Sequence, residues 1–284
     1  MLGNQENMAD AKVVLIRGAG EQASGVGWTL AKAGFRVAMT EVPKPLMVRR
    51  SVCFGTAVAE GVWQVEKVTA RKVDHPRQFA SAWEKGEIPI IVDHDLQEIT
   101  DINPTILIDG IMAKRNTGTK KDMAPLTIGL GPGFVAGKDV NLVIETNRGH
   151  NLGRIIYSGP AEPNTGIPGL LEGFTKERVI YSAKAGIFKS GHCIGQQVRC
   201  GDVIGEIYDG ISIEYVVSSL DGVLRGLIHT DTSVKVNMKI GDVDPRGKEE
   251  FCWTISEKAR AIGAGVLLGI LEWNTRDAKD RVRC

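Results

Sequence analysis

Residues 13–41 read VVLIRGAGEQASGVGWTLAKAGFRVAMTE. The first four are apolar and mostly β-branched, the pattern of a buried strand, and a glycine-bearing turn follows at once. Ala23, Val26, Gly27 and Leu30 then recur at helical spacing, Gly34 can stop the helix, and Phe35 to Glu41 reads as a second strand. Gly18-x-Gly20-x-x-Ala23 is a variant of the dinucleotide fingerprint, in which a tight turn brings backbone amides close to a pyrophosphate. Glu41 stands 23 positions after Gly18, about where an acid would meet a ribose hydroxyl. The order strand, glycine turn, helix, strand, acid predicts a Rossmann-like α/β unit. At this level the turn serves either a dinucleotide or packing alone.

Beyond Glu41, Pro43 and Pro45 break the strand. Arg49 and Arg50 follow on the side of the glycine turn, either to hold a phosphate-bearing ligand or as a solvated basic turn. Val62 to Val73 reads as a strand or hairpin, Pro76 to Lys85 as a helix, Ile88 to Asp93 and Thr105 to Asp109 as further strands. Ligands of open α/β sheets gather at the carboxyl ends of the strands, which places Asp109 and the nearby Lys114 close to the Gly18 turn.

The stretch Thr127 to Gly169 holds 9 of the chain's 34 glycines in 43 positions, so it needs close backbone approach or positive φ. In Gly129-Leu130-Gly131-Pro132-Gly133 the glycines follow a strand-like Leu126–Ile128, an arrangement that makes either a nest of amides facing an anion or plain tight turns. Glu145, Asn147, Arg148 and His150 follow a second apolar run, Val140–Ile144. Strand ends then deliver Asp109, Lys114, Glu145, Asn147, Arg148 and His150 to one cleft around the Gly129–Gly133 turn. His150 is the natural proton carrier there, and a neighbouring Glu145 would raise its pKa. The alternative is that His150 and Asn151 only cap turns.

From Val179 the chain turns to short β-rich segments with an internal repeat at an offset of 36. Ser182 matches Ser218, Gly186 matches Gly222, Val198 matches Val234, Gly205 matches Gly241 and Ile207 matches Val243. The pattern resembles the barrel-sandwich fold of biotinyl and lipoyl carrier domains. The hairpin that bears their lysine is here Tyr208-Asp209-Gly210-Ile211-Ser212-Ile213, without one, so a covalent carrier role is not expected. The last segment, Ser256 to Trp273, reads as a helix with Ser256 as N-cap and a stripe of Ala259, Ile262, Val266, Ile270 and Trp273. Ala261, Gly265 and Gly269 form a second line of small residues, whose helical cost of roughly 1 kcal/mol per glycine calls for close packing.

Lys+Arg (35) and Asp+Glu (34) nearly cancel over 284 residues, so the chain carries no electrostatic footprint for nucleic acid or a membrane surface. Five scattered cysteines without Cys-x-x-Cys spacing signal neither a disulfide framework nor zinc, and suit a reducing cytoplasm. The polar start, MLGNQENMADAK, lacks a signal-peptide core. Three domains are expected: 1–177, Rossmann-like with the glycine-rich central segment; 178–247, a barrel-sandwich-like β-repeat; and 248–284, a C-terminal helix packing back on the first domain or on a dimer mate.

Taken together, RGAGEQASGVG (17–27), AGFRVAMTEVPKPLMVRR (33–50), IDGIMAKRNT (108–117), IGLGPGFVAGKDVNLVIETNRGHNLGR (128–154), SGPAEPNTGIPG (158–169), DGVLRG (221–226) and KIGDVDPRG (239–247) resemble the accessory proteins of the selenium-dependent molybdenum hydroxylase system. Those are distantly similar to xanthine dehydrogenase accessory factors. One departure is Glu21-Gln22-Ala23, where the family pattern has Asp-Leu-Ala. The resemblance implies a cytoplasmic maturation factor that binds the molybdenum cofactor, a precursor or a nucleotide, with a hydroxylase or its maturation proteins as partner and a nucleotide or pterin as ligand. Two alternatives stand beside it: an NAD(P)-dependent small-molecule oxidoreductase, and a non-catalytic adaptor docking a hydroxylase subunit. Whether the chain is an enzyme stays open, and a homodimer is allowed for. Asp109, Lys114, Glu145 and His150 are the expected catalytic residues. Gly18, Gly20, Glu21, Ala23, Gly25, Glu41, Arg49, Arg50, Gly129, Gly131, Gly133, Asn147 and Arg148 are the expected cofactor-binding set, and no metal ligand is expected.

Overall fold

A computed structural model describes residues 12–281; most of the polar N-terminal segment and Cys284 lie outside them. The chain divides into two compact units, one of Met1–Pro45, Phe54–Asn164 and Ile255–Cys284, the other of Leu46–Cys53 and Thr165–Thr254. Its helices are α1 (Glu21–Lys32), α2 (Ala57–Glu60), α3 (Phe79–Glu84), α4 (Ile99–Ile102), α5 (Glu250–Trp253) and α6 (Glu257–Arg281). Among the described residues no helix is long and apolar enough to cross a membrane.

In the first unit the strands are β1 (Val13–Arg17), β2 (Arg36–Glu41), β3 (Val62–Val65), β4 (Val68–Val73), β5 (Ile88–Val92), β6 (Ile106–Asp109), β7 (Leu126–Leu130), β8 (Val135–Ala136), β9 (Leu142–Ile144), β10 (Ile155–Ile156) and β11 (Gly159–Pro160). Nine of these make one sheet in the order β10-β9-β7-β6-β1-β2-β5-β4-β3, and β8 pairs with β11. The strands from β9 to β4 run parallel, while β3 and β10 close the two edges antiparallel. The central strands β6, β7 and β9 are buried along their whole length and mostly apolar, as a parallel sheet covered on both faces requires. One face packs Leu15, Ala38, Ile91 and Leu107 against Phe79 of α3 and Ile102 of α4.

The ends of α1 follow from its sequence. Gly34 takes φ +87°, its amide donates to Ala31 O, and Phe35 N reaches back to Leu30 O, a left-handed cap that glycine adopts without strain. At the other end of the chain, α6 buries Ala259, Ile262, Val266 and Ile270. Its glycines are where backbones touch. A Cβ on Gly265 would stand 2.1 Å from Gly153 O, and one on Gly263 would stand 2.3 Å from Thr29 Oγ1. Reciprocally, a Cβ on Gly25 of α1 would stand 2.6 Å from that of Ala259. This close packing offsets the helical cost of the glycines.

The second unit holds β12 (Val179–Tyr181), β13 (Gly186–Lys189), β14 (Gln197–Val198), β15 (Val203–Tyr208), β16 (Ile213–Val217), β17 (Gly222–Leu227), β18 (Thr232–Val234) and β19 (Lys239–Asp244). They form two four-stranded antiparallel sheets, β12-β19-β17-β14 and β16-β15-β13-β18. The offset of 36 survives in space. A Cβ on Gly186 would meet Tyr208 O at 2.5 Å and one on Gly222 would meet Asp244 O at 2.4 Å, and Tyr208 and Asp244 are themselves 36 apart.

The expected fold class, a Rossmann-like domain with a barrel-sandwich β-repeat domain, is therefore corrected to one large mixed sheet with several small antiparallel sheets. Periodicity marks the strands at Val13–Ile16, Phe35–Glu41, Ile88–Asp93 and Thr105–Asp109 and allows a hairpin over Val62–Val73, but does not settle the edge directions, which depend on turns such as the two-residue Glu66–Lys67 loop with φ +42° and +67°. Nor does it show pairings such as β12 with β19, set by contacts some 60 residues apart.

Replacing Gly265 by leucine should lower stability by about 1–3 kcal/mol or more, because the obstructing atom is backbone and cannot rotate away. Urea unfolding of Gly265→Leu beside Gly191→Ala, whose Cβ would meet open space, separates this contact from a general glycine effect.

Candidate functional site

The parallel register brings strand ends into line. Arg17 pairs with Asp109, Asp109 with Gly129, and Gly129 with Val143, so Asp109, the Gly129 turn and Glu145 leave the sheet at one edge. The turn after β1 lies at that edge. Gly18 has φ +89°, and a Cβ there would stand 3.1 Å from Ile111 Cα. Ala23, the last position of the fingerprint, is accommodated because Gly110 faces it: a Cβ on Gly110 would stand 2.8 Å from that of Ala23. Gly20 differs from both. It is the N-cap of α1, no side chain caps it, and a Cβ there would meet nothing within 4 Å.

Several acids proposed from sequence are bound to protein donors. Glu41 Oε2 accepts from Ala19 N and Oε1 from Val42 N, both at 2.8 Å, so it fastens the glycine turn. Burial raises its pKa, and the two amides oppose that rise. Asp109 is 1% exposed. It accepts from Thr119 Oγ1 at 2.6 Å, Ile111 N at 3.2 Å and Arg17 Nη1 at 3.4 Å, and Arg17 also donates to His94 O and Thr117 O. Glu145, 2% exposed, accepts from the amides of Thr146, Asn147 and Glu162, each at 2.7 Å. Asn147 and Asn151 donate in turn to Glu162, which holds that carboxyl below its usual range.

The glycines of the central turn are occupied by protein. Cβ atoms on Gly129, Gly131 and Gly133 would collide with Phe134, Thr146 and the Arg115 backbone respectively. His150 is exposed and makes no hydrogen bond among the described residues. Arg49 and Arg50 belong to the second unit, where Arg49 donates to Phe251 O and Thr254 O and Arg50 to Leu227 O. They do not join the glycine turn's unit.

A residue the sequence analysis passed over stands in the middle of what remains. Lys258 lies in the first turn of α6, part-buried, and makes no hydrogen bond or ion pair among the described residues. Burial lowers its pKa most, and the charges of Arg148 and Lys114 lower it further, against the opposite pull of Glu21 and Glu145. Arg148 is itself paired with Glu257, and Glu21 accepts from Ser256 Oγ at 2.9 Å. Thus α6 carries a cation to the start of α1, together with Lys114 and Arg148. A sequence signal existed: a lysine in a helix's first turn opposes the helix dipole, and broken local rules cluster at functional positions. In the same turn of α1 as Glu21, Gln22 Oε1 is buried without a partner among the described residues.

His75, Glu98 and Asp101 bring ligand atoms within 4.8 Å of one another. His75 Nδ1 accepts from Arg77 N, so the neutral ring carries its proton on Nε2 and offers no lone pair there.

No family model matches the chain. It is 46% identical over 260 residues to a protein of Escherichia coli (strain K12) described as "Uncharacterized protein YqeB", covering 92% of this chain and 47% of that one. The chain thus spans about half the length of the curated relative it matches. Similar solved structures include the product-bound ectoine utilization protein EutE (DoeB) from Ruegeria pomeroyi, 8% identical with a TM-score of 0.25, covering 82% of this chain and 85% of that one. A succinylglutamate desuccinylase/aspartoacylase from Rhodobacter sphaeroides is 10% identical with a TM-score of 0.26, at the same coverage. Superposition this loose carries no chemistry across. The expected membership among molybdenum hydroxylase accessory proteins, and with it the maturation function and the selenium link, is corrected: the curated relative bears no such description.

Lys258 also fixes a pH dependence. Its folded pKa lies below the ordinary 10.5, so the unfolded chain binds the extra proton between the two values. Stability should therefore rise with pH as it climbs through the folded pKa toward 10.5, and Lys258→Met should flatten that rise. Urea midpoints of both proteins across the alkaline range measure it, and parallel curves would contradict it.

Proposed function

We propose that this chain binds a small anionic molecule, carrying a phosphate or carboxylate, at the carboxyl edge of the parallel strands. The observation that carries the reading is a part-buried lysine without a protein partner, set beside two further cations, Lys114 and Arg148. A lysine ammonium is costly to remove from water unless something anionic meets it, and an incoming phosphate or carboxylate does so. The uncapped start of α1 supports the same reading. Its first amides have no intrahelical acceptor, and Gly20 leaves the space before them open. Gln22 Oε1 adds an acceptor suited to a ligand that also carries an N–H or O–H. Nucleotide and pterin phosphates both have that combination. In this reading Glu41, Asp109 and Glu145 shape the loops, and Lys258, Lys114 and Arg148 meet the ligand. Among the described residues Cys193, Cys200 and Cys252 form no disulfide, which suits a reducing, cytoplasmic setting.

Thermal shift with inorganic phosphate, pyrophosphate, AMP, a pterin phosphate and a dicarboxylate tests the proposal. At 100 times its dissociation constant a ligand should stabilise by about 2.7 kcal/mol. Lys258→Met and Gly20→Val should each abolish the shift while keeping the unliganded fold. An absent response across the panel, or an equal one in both variants, would overturn the assignment.

A further inference from the structure

The sheet β16-β15-β13-β18 buries Phe188, Ile207, Val216 and Val234 on its inner face. Its outer face is unusually apolar. Cross-strand register sets Ile187, Tyr208 and Ile213 in one row, Lys189, Glu206 and Tyr215 in the next, and Val203 beside Val217. Tyr215 is 62% exposed, Ile213 50% and Val203 49%. Exposed apolar side chains gathered on one face of a sheet suit an interaction surface.

Two shapes on this face fit one another. The first is a knob: Ile211, 93% exposed, at the tip of the β15–β16 hairpin. The tip is preformed. Asp209 Oδ1 accepts from Ile211 N and Ser212 N, Lys184 Nζ donates to Asp209 Oδ2 and Ser212 O, and Tyr208 OH donates to Gly210 O. A rigid apolar tip loses little entropy on burial. The second is an open groove of about 570 Å³ lined by Lys189, His192, Val203, Glu206, Tyr215 and Thr230.

We propose that this face joins two copies of the chain about a twofold axis, each Ile211 seating in the other's groove. A twofold contact requires a patch complementary to itself, with residue i meeting j as j meets i. This face meets that condition. It carries a knob and a groove together, and its central row holds one cation and one anion, so Lys189 of each copy can meet Glu206 of the other. A hetero-partner would need no such balance. The glycine line of α6, by contrast, is filled within its own unit and leaves no dimer axis there.

Sedimentation equilibrium of the full chain should give twice 30.7 kDa. Ile211→Asp should weaken association by roughly tenfold or more, as expected for a central anchor, with circular dichroism unchanged because the side chain is exposed. Lys189→Glu should weaken it too, and adding Glu206→Lys should restore it, which a merely structural role would not produce. A chain that stays monomeric, a dimer indifferent to Ile211→Asp, or a charge swap without rescue would each overturn the proposal.

Discussion

The first unit depends on the backbone contact between α6 and α1. Where Ala259 meets Gly25, and Gly263 meets Thr29, there is no room for a larger residue, and the two helices approach as closely as side-chain-free surfaces allow. That contact fixes the start of α6 beside the start of α1, as the Ser256–Glu21 hydrogen bond records. Lys258 is carried there by the packing.

The carboxylates of the edge explain why the site is held open. Glu41 fastens the turn after β1, Asp109 and Arg17 clamp the loop after β6, and Glu145 gathers three amides of the loop after β9. Each satisfies backbone donors that would otherwise be orphaned near the sheet edge, a costly condition. The loops are thereby rigid, and the groups left without protein partners include a lysine and a glutamine oxygen. A site whose acids are committed to backbone amides, and whose Lys258 makes no hydrogen bond or ion pair among the described residues, is suited to receive an anion.

Much of this was legible in sequence, and what was not has definite causes. The first strand, the glycine turn, α1 and its Gly34 stop follow from local rules, and the structure places them at Val13–Arg17, Glu21–Lys32 and Gly34. The offset of 36 was visible because paired glycines face the same close backbone approach. The mixed character of the large sheet was hidden, since edge direction depends on turns and distant pairings. Polar residue type alone also gave no way to tell Asn147, which holds Glu162, from a ligand contact. Lys258 escaped notice because it lies more than a hundred residues from Glu145 and Arg148, and only the fold brings them together.

The most direct test is to titrate Lys258 itself. Carbon-13 labelling of lysine side chains, with Lys258→Arg to assign the signal, reports its ionisation in the free protein and with saturating pyrophosphate. A pKa below the ordinary 10.5 when free that moves upward when the anion binds is the predicted result. A lysine that titrates normally, or one that pyrophosphate leaves unmoved while other signals shift, would contradict the account.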